Sequence, residues 1–411
     1  MPVNPANVLA NLKELRALTA DDHGAQRVAW TPIWLKAREW FTTKLQGLPV
    51  ERHQDAAGNV WVTLKGKSQK ALILGGHLDS VPNGGWLDGA LGVVTSLEVL
   101  RAIAEDYDGH PPVTVRLVDW ADEEGARFGR SLFGSSACAG THSIAADRNR
   151  TDREGVRLED ALKICGIAID GVGAASAEQQ SAAAYLELHI EQGPVLEAIQ
   201  LPLAVVLGTK GVERHAITFH GQEAHSGSTP MAVRRDALAP AAKLALEIRA
   251  IAGRHKDAVC TMGSVKTFPG IVTAVVGRCE ATLDQRDLDS KVLATMYREA
   301  REASVRFAAE EQCTVDWSRI WNIEPVPFHP ELIELCDEAI RETAGASHQM
   351  PSGPLHDAAE VSRAGIPTVM MFVQSLNGIS HNKIEDTKTE HLELAGTAFA
   401  TLADKAMHWI A

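Results

Sequence analysis

No run of apolar residues in this 411-residue chain approaches the roughly 18–20 needed to cross a bilayer as a helix, which excludes a helical membrane protein. The first residues, Met1-Pro2-Val3-Asn4-Pro5, lack a basic region followed by an apolar one, so no secretory leader is expected. Cysteine is sparse: Cys138, Cys165, Cys260, Cys279, Cys313 and Cys336 are scattered, with no CxxC pair. A chain this long needs no disulfide staples, so these read as reduced thiols and the expected compartment is the cytoplasm. Excess positive charge is also missing. The formal net charge is −13, whereas a nucleic-acid binder carries a basic surface, so no nucleic-acid partner is expected. An anionic small molecule is still compatible, because a few local arginines can outweigh the global field. Repeats, low-complexity tracts and lipidation signals are lacking too.

What is present is an ordinary globular composition, 45% hydrophobic and 23% charged, with enough length for two or three domains. Short apolar runs at Ala71–Leu74 and Val113–Val118 read as buried strands. The stretch Leu91–Ala104 between them has helical spacing. Strand–helix–strand with such apolar strands predicts an α/β sheet covered on both faces. In Tyr185–Glu191, Leu186, Leu188 and Ile190 alternate with Tyr185, Glu187, His189 and Glu191, the period of a strand. A second unit is expected over 211–326, with a strand at 212–220, a helix at 232–252, one or two strands within 272–287 and a helix at 291–310. A strand at 367–373 and a helix at 390–410 are expected to rejoin the first domain, making it 1–210 with 327–411.

The chemistry-bearing residues follow apolar strands. His77, in Gly75-Gly76-His77-Leu78-Asp79-Ser80, comes where open α/β sheets place their sites. A neutral imidazole there can ligate a metal, and Asp79 can hold its other ring nitrogen. Asp88 follows in the glycine-rich Trp86-Leu87-Asp88-Gly89. Asp122-Glu123-Glu124-Gly125 follows the next strand, and its acids can divide the work. One carboxylate ligates, while its neighbour takes a proton from a water that a metal has made acidic. His189 lies in a further strand, and His381 (in Ser380-His381-Asn382-Lys383-Ile384-Glu385-Asp386) comes beyond the end of the apolar strand 367–373. Each motif alone is compatible with a solvated turn or a packed histidine. Together they bring three imidazoles and several carboxylates to one edge, a mix suited to Zn²⁺ and tolerated by Mn²⁺, Co²⁺ and Ni²⁺.

At this point the sequence resembles the metal-dependent aminoacylase and carboxypeptidase clan. Within it, the N-carbamoyl-L-amino-acid amidohydrolases match best, with β-ureidopropionase and allantoate amidohydrolase as near relatives. The matching segments are 76–82, 85–89, 122–128, His189-Ile190-Glu191-Gln192-Gly193-Pro194, 221–227, Asp284-Gln285-Arg286, 355–358 and 380–382, in family order along essentially the whole chain. The resemblance implies a mixed-sheet catalytic domain flanked by helices, with an inserted α+β lid that also forms a homodimer. It implies two divalent metal ions, one held by His77, His189 and Asp88, the other by Asp88, Glu124 and His381. Glu123 would be the base and Asp79 would orient His77. His225 would reach across the dimer to the oxyanion of the partner's site. Arg286 would grip the substrate carboxylate, for which a bidentate guanidinium is suited. Gln192 would contact the ureido group, and His356 would face the carboxylate. The expected reaction is hydrolysis of an N-carbamoyl amino acid to amino acid, CO₂ and ammonia. Allantoate, β-ureidopropionate or another N-acyl small acid are the alternatives. Two departures concern the substrate clamp. Thr273 stands where the family usually has asparagine, and Ser352-Gly353-Pro354-Leu355-His356-Asp357 replaces a more glycine-rich loop, making it stiffer and more apolar around Gly353.

Overall fold

The computed structural model describes residues 3–411; Met1 and Pro2, part of the segment read for a leader, lie outside the described residues. The chain divides into two compact units. One runs up to Leu207 and resumes at Phe328–Ala411; the other is Gly208–Pro327.

In chain order the main strands are β1 (Glu51–Gln54), β2 (Val60–Leu64), β3 (Ser68–His77), β4 (Val113–Trp120), β5 (Ala182–Ile190), β6 (Leu203–Thr209), β7 (Gly211–His220), β8 (Val259–Phe268), β9 (Arg278–Asp287), β10 (Thr314–Ile323), β11 (His348–Ser352) and β12 (Thr368–Val373). The larger unit is built on a mixed sheet ordered β6-β12-β5-β3-β4-β2-β1, with β11 also pairing with β6. Its four central strands, β12, β5, β3 and β4, are parallel; β6, β2 and β1 add on antiparallel at the flanks. The central strands are almost wholly buried, as parallel strands covered on both faces must be. On one face of β5, Ala184, Leu186, Leu188 and Ile190 join the main core, with helices α1 (Pro5–Thr19), α2 (Ala90–Asp106), α3 (Pro330–Ala344) and α4 (Thr389–Ile410). Tyr185, Glu187 and His189 take the opposite face, where Glu187 Oε2 accepts bonds from Tyr185 Oη (2.6 Å) and Ala358 N (3.2 Å).

The smaller unit is a four-stranded antiparallel sheet, β8-β9-β7-β10. Helices Leu238–Ala252 and Ser290–Glu310 pack on it around Ile217, Phe219, Leu244, Ile248, Leu283 and Met296. Two expectations are corrected here. The helix read from 232 begins at Leu238, because Asp236 caps that residue's N–H (3.0 Å) and Met231–Val233 forms a separate 3₁₀ turn after Pro230. The two edge strands β8 and β10 went unread: their alternation is shallow, with Val259, Val265, Ile320 and Trp321 exposed.

Candidate metal and catalytic site

Because β12, β5, β3 and β4 are parallel neighbours, their C-terminal ends open on the same edge. His77 is the last residue of β3. Glu123 and Glu124 follow β4, His189 is the penultimate residue of β5, and His381 comes eight residues after β12. They line or adjoin a cleft of about 440 Å³.

Asp88 is the centre of this cluster. Its Oδ1 stands 3.1 Å from His189 Nε2 and 3.9 Å from His77 Nε2; its Oδ2 stands 3.3 Å from His381 Nε2. Glu124 Oε2 is 3.3 Å from the same His381 nitrogen. Two triads therefore share one carboxylate, His77–Asp88–His189 and Asp88–Glu124–His381, each with its donor atoms within 4.8 Å of one another. The mixture of imidazole nitrogens and carboxylate oxygens fits a divalent ion in each. A third grouping, Glu187–His189–His356, also comes within 4.8 Å. His189 Nδ1 is engaged with the Ile190 carbonyl at 2.8 Å, which leaves Nε2 as the ring atom available to a metal and turned toward Asp88, favouring the first triad.

Asp79 is fully buried and works in two directions. Its Oδ1 lies 3.5 Å from His77 Nδ1, which is nearer the Asp79 carbonyl at 3.2 Å. The carboxylate also accepts the backbone N–H of Glu123 and of Glu124, both at 3.2 Å, and so holds the acidic turn. Asp122 stabilises that turn from below, accepting from Trp30 Nε1 (2.7 Å) and Gly125 N (3.1 Å). Glu123 is buried, with Oε2 3.8 Å from His77 Nε2.

Burial pushes the Glu123 carboxyl well above its usual range, opposed by His77 and reinforced by Asp357 and Glu124. Glu124 is raised to about 7, by burial first and the charge of Asp88 second. Asp88 goes the other way: burial works against its charge, but the bonds to His189 and His381 hold it well below the ordinary value. His381 is raised to about 9, chiefly by its bond to Asp88. So many buried acids in one cluster create a demand for positive charge that cations would meet.

Backbone strain gathers here as well. Asp122, Leu132, Gln192 and His381 all have positive φ, between 54° and 57°. Such conformations cost energy in non-glycine residues and cluster at functional sites.

Gln192 donates from Nε2 to Asp88 Oδ2 and to Ser380 Oγ, both at 3.0 Å. His356 is buried, its Nε2 3.0 Å from Ser352 Oγ and its ring 4.4 Å from that of His189. Pro354 and Leu355, which follow Gly353, line the cleft together with Leu132. In the smaller unit, His225 pairs with Ala274 in a short bridge, and Ser226 N donates to the Thr273 carbonyl (2.9 Å), so His225 and Thr273 are neighbours. His225 is exposed, and its Nδ1 accepts from Gly227 N at 3.1 Å. Arg286, on β9, directs Nε at Asp284 Oδ1 (2.8 Å). The reading from sequence missed Glu385. This buried carboxylate accepts from Leu87 N and Asp88 N, and its only sequence signal is its place four residues after His381.

Residues 73–405 match the profile of peptidase family M20/M25/M40. The chain is 33% identical over 365 residues to an N-carbamoyl-L-amino acid amidohydrolase of Geobacillus stearothermophilus, covering 88% of each. It is 32% identical over 372 residues to an allantoate amidohydrolase of Escherichia coli, covering 90% of each. The structure of an amidase of the hydantoinase/carbamoylase family from Burkholderia multivorans superposes with a TM-score of 0.87 at 31% identity, over 98% of this chain and 97% of that one. With its metal-suited cleft at the strand ends, the chain belongs to the M20/M25/M40 family and is an amidohydrolase of the carbamoylase and allantoate amidohydrolase type.

Proposed function

We propose that this enzyme hydrolyses the ureido C–N bond of an N-carbamoyl amino acid, releasing amino acid, CO₂ and ammonia. The observation that supports metal-dependent hydrolysis is Asp88, whose two oxygens face two separate donor triads with Glu123 beside them; the ureido substrate class rests on the resemblance to carbamoylases and allantoate amidohydrolases. His77, His189 and Asp88 would hold one divalent ion, and Asp88, Glu124 and His381 the other. Zinc, manganese, cobalt and nickel all suit these donors. When bound, such ions polarise the carbonyl and make a water in the cleft more acidic.

The protein's own groups then do the following. Glu123 takes the proton of the attacking water and returns it to the departing nitrogen, the work of a carboxyl with a raised pKa. Asp79 fixes both the His77 ring and the peptide that carries Glu123. Gln192 presents its amide to the ureido group. His356 and the Gly353 loop face the substrate carboxylate. By family resemblance, His225 would stabilise the oxyanion in a partner subunit's site, and Arg286 and Thr273 would bind the carboxylate.

Relatives named for N-carbamoyl amino acids and for allantoate stand almost level, at 33% and 32% identity, so a substrate panel is the test. N-carbamoyl-L-amino acids, β-ureidopropionate, allantoate and N-acetyl amino acids are assayed by kcat/KM, with ammonia release as the readout for the ureido substrates. An N-carbamoyl amino acid should lead, activity should vanish with a chelator, and a divalent ion should restore it. Preference for allantoate would replace the substrate assignment, and turnover of acetyl amino acids alone would make the enzyme an aminoacylase.

A further inference from the structure

Glu385 has no role in the scheme above, yet it touches the segment that carries Asp88 and the segment that carries His381. It is 2% exposed. Its Oε1 accepts the backbone N–H of Leu87 (3.1 Å) and of Asp88 (3.0 Å). Its Oε2 lies 2.8 Å from Ser380 Oγ, and that hydroxyl is also 3.2 Å from Asp88 Oδ2. The fit is close: a Cβ on Gly85 would stand 2.0 Å from the Glu385 carboxyl carbon, so a side chain there would have to displace that carboxyl from its bonds.

The two triads differ in what holds their histidines. His77 and His189 are strand residues, fixed by the hydrogen-bond ladders of the sheet. His381 is a loop residue with a φ of 54° and a side chain 51% exposed. Asp88 too lies outside regular structure, just before α2. The ties between these two loops run through Glu385, Ser380 and Gln192.

We propose that Glu385 is a positioning residue that sets the Asp88 carboxylate in register with His381. The Asp88–Glu124–His381 triad depends on it, and the His77–Asp88–His189 triad depends on it far less. This rests on the reading that Asp88 is shared by two ions.

The test uses the full-length, metal-stripped protein titrated with Co²⁺, followed by calorimetry and visible absorption. Wild type should take up two equivalents. In Glu385→Gln and in Ser380→Ala, one step should stay within about threefold of wild type. The other should weaken about 10- to 100-fold, the usual effect of removing a group that orients a ligand. Turnover should recover as Co²⁺ is raised. The melting temperature of the metal-free protein should stay close to wild type, which a merely structural role would not predict. Two unchanged steps in both variants would overturn the inference, as would equal weakening of both steps. If Glu385→Gln fails to fold, Ser380→Ala decides, since it leaves the Oε1 bonds to Leu87 and Asp88 in place and removes the hydroxyl that links Oε2 to Asp88 Oδ2 and Gln192 Nε2. A wild type that binds fewer than two equivalents would overturn the shared-Asp88 reading, and this inference with it.

Discussion

Asp88 and Glu123 divide the demands of the cleft between two neighbouring carboxylates. Asp88 is kept ionised by direct bonds to His189 and His381, whereas Glu123 has a pKa raised by burial. Environments that push two acids apart in this way separate a ligand from a proton carrier. Glu123→Gln keeps the shape and the backbone N–H that Asp79 holds, but removes the proton-accepting oxygen pair. It should retain its metal content while kcat falls about 10²- to 10⁴-fold, the usual contribution of a general base. Steady-state kinetics beside metal analysis checks this, and a near-normal kcat would sink the base assignment.

At the scale of elements, the site is a consequence of strand direction. β12, β5, β3 and β4 lie side by side and run parallel, so residues far apart in sequence finish on one edge. The join between β3 and α2 is tight. Gly89 has a φ of 64°, and a Cβ there would meet the His77 ring at 2.3 Å. Gly89→Ala therefore combines the strain of a sparsely populated positive-φ conformation, about 1–3 kcal/mol, with displacement of the His77 ring. Metal affinity should fall about tenfold or more, read by the same Co²⁺ titration, with a modest loss of stability in chemical denaturation. Unchanged affinity would refute the dependence of the His77 ring on a glycine at position 89.

At the scale of the whole molecule, the residues with proposed roles are divided between two units. The larger unit holds the triads and Glu123; the unit Gly208–Pro327 holds His225, Thr273 and Arg286. If His225 serves a partner subunit's site, as proposed, His225→Ala and Glu123→Gln should each be nearly inactive alone. Mixed dimers of the two should regain part of the wild-type rate, because one of their two sites would have both groups intact. Co-expression with two affinity tags isolates the mixed species, and no recovered activity in it would count against a shared site.

The amino-acid sequence by itself determined the α/β class, the apolar strands and the acids and histidines beside them. Those features are local: period-2 and helical spacing, glycine turns and residue types suited to ligation. His77, Asp88, Glu123, Glu124, His189 and His381 were all legible in this way, once strand ends were counted together. Only the tertiary structure decided which oxygen of Asp88 faces which histidine, that the Asp79 carboxylate also holds the Glu123–Glu124 peptide, and that Glu385 ties two loops nearly 300 residues apart in sequence. The reason is physical. A buried carboxylate and a solvated one are spelled alike, and what separates Glu385 from any surface glutamate is the pair of backbone N–H groups that the fold delivers to it.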